Sequence, residues 1–533
     1  MKQAALFLLF LLPLLATAKV AAQGPVLSVV EGPVLSEACP EPCRRVEGPV
    51  PSKACPACPE RSRGEPRRRV EGSKGSEPFP LQRRTLPNGL RVWCQPRPDS
   101  ESVATLLVVR AGSRYENLSN NGVSHYVEHM LFTGTERWTE EEIKEIITRR
   151  GGRWNGWAGR ERTTYFAHVS AQDLDIALDW LTEVVFHPTF PADKVDKERQ
   201  VIFQERWGRY GWLLNTLDAL GFGYELDRDV RRALFPDSTL GLRVVGEDAS
   251  LESLDRAGLL GYYQRHYTPG NVVLILVGSV TPEQVFERAE AYFGNLERNG
   301  RPSPPGTPPL PAEGPHEVVV RGPMLTDQVG LMVGARTVGR THPDRWASEV
   351  LAEVLGEDLR EEIRYQRGLV YGLGAYNVFF DDTGYFVIST TSERGNKEAI
   401  LSTVEEHLEG VRRGEVDAER VAEAQAALKG RWALAMEDNV ERAIWLAQWS
   451  SVLSADEPVP DYQAAIDAVT PEDLPRVVES YFTPQRRYLG LHQPVATVAS
   501  GARAVGVIVG LGLSAWVARR LWRRAKTRRN QDR

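Results

Sequence analysis

Gly122-Val123-Ser124-His125-Tyr126-Val127-Glu128-His129-Met130-Leu131-Phe132 carries two histidines and a glutamate at positions i, i+3 and i+4. On a helix those three positions share one face. Two neutral imidazoles one turn apart can both reach a single Zn²⁺, at about 2.0–2.1 Å each. The glutamate between them then sits beside the metal, where it can take a proton from the metal's water. The pattern is H-x-x-E-H, the inverted form of the commoner H-E-x-x-H zinc signature. Taken alone, it is equally compatible with a solvated polar helix face.

A catalytic zinc site usually has three protein ligands and an open fourth position, so a third ligand is expected on another helix further along. Lys197-Glu198-Arg199-Gln200-Val201-Ile202-Phe203-Gln204-Glu205-Arg206 offers Glu198 and Glu205, seven residues apart and hence on one helical face. With this pair the chain resembles the pitrilysin-like zinc metallopeptidases (M16, the inverzincins), and its bacterial processing-peptidase-like branch. The run His129–Arg137 and the Gly151-Gly152-x-x-Asn155 turn match that family as well. The resemblance implies His125, His129 and Glu205 as metal ligands, Glu128 as general base and Glu198 as the glutamate behind the ligands. It also implies Zn²⁺ as cofactor and a peptide as substrate.

Outward from the motif, the 533 residues exceed one domain and suggest two or three. The apolar (42%) and charged (26%) fractions are those of a globular protein, and a net charge of −6 argues against nucleic acid as partner. Residues 1–23 read as a signal peptide: Lys2, an apolar run Ala4–Leu15, then small residues. An uncleaved anchor is the rival. Residues 24–78 repeat Glu-Gly-Pro-Val and Arg-Arg-Val-Glu-Gly, bury almost nothing and read as a disordered linker. Cys39, Cys43, Cys55 and Cys58 lie there, with spacing open to a zinc site, two disulfides or no ordered site. Cys94 falls in a predicted strand and reads as core.

The first folded domain is expected over 79–300. Asn88-Gly89 signals a hairpin turn. Val103–Val109, Arg153–Trp157, Thr163–Val169 and Val272–Val277 read as strands, and Thr139–Thr148, Gln172–Val185 and Ala192–Trp212 as helices. Thr139 with Glu142 forms a capping-box signature. A Pro-rich linker occupies 301–317 and is expected to run extended on the surface. A second domain follows over 318–494, with strands at Val318–Arg321, Gln328–Gly334 and Tyr385–Thr391, and helices at Trp346–Leu355, Ala418–Ala435 and Val440–Leu453. Tyr267-Thr268-Pro269 is echoed by Phe482-Thr483-Pro484, each after a helix and before an apolar strand, which suggests two related α+β halves. The resemblance to the pitrilysin-like family implies an α+β fold of two related roll domains, each an antiparallel sheet packed with helices.

Ile363-Arg364-Tyr365-Gln366-Arg367-Gly368-Leu369-Val370-Tyr371 resembles the family's L-R-x-x-R-G-L-x-Y segment, with Ile363 in place of leucine. There the resemblance implies that Arg364 and Tyr371 reach a zinc site and bind substrate. A guanidinium and a phenol are good donors to a developing oxyanion. One departure concerns Asn-Ala-x-Thr, which the family often places on the strand beside the site. This chain reads Asn155-Gly156-Trp157-Ala158, keeping Asn155 as a substrate contact.

Residues 495–518 contain only Arg503 as a charge, and 519–533 are basic, the pattern of a transmembrane anchor with a cytoplasmic tail. An interfacial helix and a core helix are the rivals. The expected protein is thus a single-pass cell-membrane zinc endopeptidase with its peptidase domains on the extracytoplasmic side. A closed family chamber needs four roll domains, so a homodimer is expected, with Gly506-x-x-x-Gly510 as an assisting contact. The rivals are a non-catalytic membrane-bound assembly subunit and a processing peptidase selective for signal or transit sequences.

Overall fold

In the computed structural model, described over residues 80–207, 225–297, 300, 302–454, 457–496 and 498–531, the Asn88-Gly89 turn joins β1 (Gln82–Thr85) to β2 (Arg91–Pro96) as an antiparallel pair. Gly89 has φ +96°, the left-handed region that favours glycine, and a Cβ there would lie a tight 3.2 Å from Gly270 Cα. The expected signal peptide, the 24–78 linker and its four cysteines lie outside the described residues.

The first sheet adds β3 (Ser102–Val109), β4 (Arg153–Ala158), β5 (Thr163–Ser170) and β6 (Val272–Gly278) in the order β1-β2-β6-β3-β5-β4. Alternation along β3 and β6 sends Val103, Leu107, Leu274 and Leu276 to one face and Ala104, Leu106, Val273 and Ile275 to the other. Both faces are covered, which is why Val272–Val277 reads as an unbroken apolar run. The helices that build the core on the first face include α1 (Val123–Leu131), α3 (Leu174–Phe186), α7 (Arg256–His266) and α8 (Pro282–Phe293). Thr139 caps α2 (Glu140–Ile146) with the full capping box, Glu142 Oε2 accepting from Thr139 N at 2.8 Å. Cys94 is buried in β2, and burial pushes its thiol up to about 12, consistent with a core residue.

The second sheet comprises β7 (His316–Leu325), β8 (Gln328–Val338), β9 (Val370–Phe379), β10 (Thr383–Glu393) and β11 (Arg487–Ala496), in the order β7-β11-β8-β10-β9. With β1 set aside, the two sheets have one topology: β2, β3, β4, β5 and β6 occupy the places of β7, β8, β9, β10 and β11. The paired Thr-Pro sequences precede β6 and β11, which are equivalent strands. Neither sheet is wholly antiparallel as expected, because β2–β6 and β7–β11 are parallel. Parallel neighbours need a long crossover, and nearly the whole helical layer of each half lies between them.

Two helices are exchanged between the halves. α5 (Leu226–Leu234) sets Val230 and Leu234 against Met332, Val387 and Tyr488 of the second sheet. α12 (Asn439–Ser450) lays Val440, Ala443, Ile444 and Ala447 on the outer face of the first. The tips of the two equivalent hairpins also meet, with Arg114 2.7 Å from both Glu161 and Asp382, and Arg162 2.7 Å from Asp381. The Pro-rich linker is tied into this seam. Arg336 donates to the carbonyls of Pro308 and Pro309, and Thr307 Oγ1 donates to Asp382 Oδ2 at 2.6 Å.

At the C-terminus β11 takes Val495 and Ala496, and a helix follows over Val498–Gln531. The expected span over 495–518 is therefore shortened at its start and carries Arg503 inside what is left. Among the described residues no helix is long and apolar enough to cross a membrane.

Candidate metal centre

Helix α1 has no capping side chain of its own, because its N-cap is Gly122, at φ +93°. A Cβ there would stand 2.6 Å from Gly246 Cα, so only glycine fits. The orphan N–H groups of the first turn go to Glu116 instead. Its carboxylate accepts from Gly122 N (2.8 Å), Ser124 N (2.9 Å), Asn121 Nδ2 (2.8 Å) and the Ser124 hydroxyl. Glu116 is buried, and burial raises its pKa against the pull of those donors. Sequence reading missed this residue. The available signal was a helix starting at glycine with an acidic residue just upstream.

Val123, Tyr126, Val127, Met130 and Leu131 bury the core face of α1, which leaves His125 and His129 directed towards α4 (Ala192–Trp207). Tyr126 Oη donates to Val195 O and ties the two helices together. The seven-residue spacing then brings both glutamates of α4 to the histidines. Glu205 Oε2 lies 3.5 Å from His125 Nε2 and 3.4 Å from His129 Nε2. Glu198 Oε2 lies 3.3 Å from His129 Nδ1. The ligand atoms of His125, His129 and Glu205 all fall within 4.8 Å of one another.

These separations test whether the residues suit a metal. Two ligand atoms each about 2.05 Å from a tetrahedral ion stand about 3.4 Å apart, whereas a direct N–H···O bond would be about 2.9 Å. The two His–Glu205 distances match the former. The donor set of two imidazoles and one carboxylate suits Zn²⁺. Glu198 supplies the acceptor that fixes the tautomer and orientation of His129. His125 Nδ1 is buried with no such partner among the described residues.

The two imidazoles differ electrostatically. Burial, reinforced by His129, lowers His125 to about 3. Burial also acts to lower His129, but hydrogen bonds to Glu198 and Glu205 outweigh it and raise the group to about 10. Glu205 is held below the usual carboxylate range by His129, against the effect of burial. Glu128, buried with Oε2 4.0 Å from His125 Nε2, is pushed by burial up to about 7. A carboxyl there can exchange protons near neutral pH.

The centre opens into a cleft of about 350 Å³ whose opposite wall is the edge strand β4, including Trp154, Asn155, Gly156 and Trp157. Asn155 thus lines the same cleft as His125, His129 and Glu205. Gly156 explains the departure at this strand: a Cβ would lie 2.9 Å from Glu128 Oε1 and 2.8 Å from the Phe132 ring. Phe132 and the two tryptophans lining the cleft were not singled out by sequence reading. Arg364 lies in a wide helical turn, Arg360–Gln366, and Tyr371 in β9. Neither lines this cleft. Tyr371 is 91% exposed, and the Arg364 guanidinium carbon sits 5.7 Å from its ring centroid.

Comparison with known proteins follows the same lines. The family model described as Insulinase (Peptidase family M16) matches residues 91–208, and the Peptidase M16 inactive domain matches 253–428. An uncharacterised zinc protease of Mycobacterium leprae is 31% identical over 367 residues, covering 67% of this chain and 79% of its own. The uncharacterised zinc protease YmxG of Bacillus subtilis is 27% identical over 362 residues, 67% of this chain and 85% of its own. The crystal structure of a protease from Helicobacter pylori superposes with a TM-score of 0.71 at 23% identity, over 78% of this chain and all of that one. Family models and sequence relatives agree, and the chain belongs to peptidase family M16.

Proposed function

We propose that this protein is a zinc-dependent endopeptidase acting on peptides or unfolded protein segments. The observation that carries the reading is the His125–His129–Glu205 triangle at 3.4–3.5 Å, with Glu128 beside it and an open strand edge facing it. Zn²⁺ would be held by those three residues, and when bound it supplies a Lewis acid that brings the pKa of water towards about 7. The chain's own groups do the rest. Glu128 takes the proton of the attacking water and returns it to the leaving amine as the peptide C–N bond breaks, consuming one water per cleavage. Glu198 keeps His129 oriented. The β4 edge pairs with an extended substrate through its backbone, beside Asn155.

Among the described residues the second half shows no equivalent centre, and α9 (Asp344–Leu359), which stands where α1 stands, contains no histidine. Its role in this reading is to present Arg364 and Tyr371. Tyr371 is exposed with Arg364 beside its ring, and neither lines the cleft of its own chain, which favours their acting on the centre of a second copy in a homodimer. The apolar start of the chain favours export, with the peptidase halves on the extracytoplasmic side.

The test is zinc content and cleavage of an unfolded peptide by the full chain. His129→Ala should lose metal and activity together. Glu128→Gln should keep metal and lose activity, and full cleavage by that variant refutes the assigned base. Glu128→Gln and Tyr371→Phe, each inactive alone, should regain part of the activity when co-expressed. No recovery, or a strictly monomeric active enzyme, refutes the shared site.

A further inference from the structure

The helix Val498–Gln531 is set apart from the rest of the molecule by its surface. None of its described side chains is buried. Val507, Val509, Leu511, Leu513, Trp516, Val517, Leu521 and Trp522 are each about half exposed or more. At 100° per residue, Val507, Leu511 and Trp522 fall on one side and Val509, Leu513 and Trp516 on the opposite side, so the apolar surface encircles the helix. Exposed apolar area of this extent marks an interaction site. Between Val495 and Gln531 there is no aspartate or glutamate, and Arg519, Arg520, Arg523, Arg524, Lys526, Arg528 and Arg529 follow the apolar part.

The charge pattern selects the occupant. Seven cations within eleven residues, with no acidic residue in the helix, repel the same segment of a second copy laid alongside in parallel. They match a layer of anionic headgroups, and the neighbouring apolar surface suits the acyl boundary beneath. The uncharged stretch Ala504–Ala518 would extend about 22 Å, short of the roughly 30 Å hydrocarbon core. Trp516 and Trp522 fall at the junction of the apolar and basic parts, where aromatic rings favour the headgroup level. We propose that the helix Val498–Gln531 is a lipid-binding element that seats its apolar part in, and its basic part against, an anionic phospholipid surface. The inference is independent of the peptidase reading.

The experiment is co-sedimentation of the full chain with vesicles of phosphatidylglycerol mixed with phosphatidylcholine, and with vesicles of phosphatidylcholine alone. The chain should bind the anionic vesicles, and bind them less tightly as salt is raised. Arg519→Gln combined with Arg520→Gln should weaken binding by about 25-fold, at about fivefold per cation near an anionic surface. Leu511→Glu combined with Leu513→Glu should abolish it. All four residues are exposed, so thermal unfolding of both variants should match the parent. Equal binding to neutral vesicles, or binding unchanged in both variants, overturns the proposal. So does absence of vesicle binding together with self-association, or duplex DNA binding, that the same substitutions remove.

Discussion

Replacing Glu198 by alanine tests the centre at a residue that touches neither substrate nor metal in this reading. Glu198 is 9% exposed, and its Oε2 stands 3.3 Å from His129 Nδ1, at the long end for such a bond. Loss of a carboxylate behind a metal-bound histidine typically weakens metal binding by about 10- to 100-fold. The long contact places this case at the lower end, about tenfold or ~1.4 kcal/mol. Glu198→Gln retains an acceptor for the imidazole N–H and should fall between parent and alanine. Glu205→Ala, which removes a ligand outright, should cost more than either. The assay is competition for Zn²⁺ against a chromophoric chelator at fixed pH, followed by kcat at saturating zinc. Turnover of the zinc-saturated alanine variant should stay close to the parent, because His129 is still present. An unchanged zinc Kd in Glu198→Ala refutes the orienting role. A loss as large as that of Glu205→Ala refutes the assignment of Glu205, rather than Glu198, as ligand.

Gly156→Ala should destabilise the fold by about 1–3 kcal/mol through overpacking, measured by chemical denaturation. Phe132 is hemmed in by Trp154, Tyr165 and Trp180, at ring-centroid distances of 5.1, 5.9 and 6.2 Å, so the Glu128 carboxylate is the group that gives way and kcat should fall while zinc content holds. Asp344 → Asn tests a pH limb in the second half. Burial raises the Asp344 carboxyl, but the Tyr481 hydroxyl at 2.5 Å and the Arg476 guanidinium outweigh it and hold the group below the usual carboxylate range. Its stabilising contribution is therefore complete above the ordinary carboxylate pKa of about 3.9 and is lost as pH falls through the depressed value. Acid unfolding of the asparagine variant, followed by tryptophan fluorescence, should be less steep with pH, and an identical acid limb refutes the argument.

What could be read without the structure was local. The H-x-x-E-H spacing, the Glu198/Glu205 interval, the Asn88-Gly89 turn and the Thr139 capping box are properties of a few adjacent residues. Helix and turn geometry converts each directly into a shared face or a hydrogen bond. The run Ala418–Ala435 was legible to the residue, and Val103–Val109 to within one, because period and caps mark them. The two halves were legible only as a repeated Thr-Pro, which the structure places before equivalent strands.

Tertiary structure decided what depends on residues distant in the chain. The parallel pairs β2–β6 and β7–β11 follow from crossovers that no local pattern encodes. The exchange of α5 and α12 between the halves is equally invisible, since an apolar helix stripe does not name the sheet that will cover it. Gly156 became interpretable only once β4 lay against Glu128. The C-terminal span shows the same limit from the other side. Hydropathy alone counted Val495 and Ala496 with the apolar run, but hydrogen bonding to β7 placed Ala496 in a sheet. The sequence by itself therefore determined that His125 and His129 share one helical face and Glu198 and Glu205 another, because each spacing sits within one or two helical turns, while the meeting of the two faces was decided by tertiary packing. The fold decided which strand and which helix surround it, because those contacts are set by packing between separate elements of the chain.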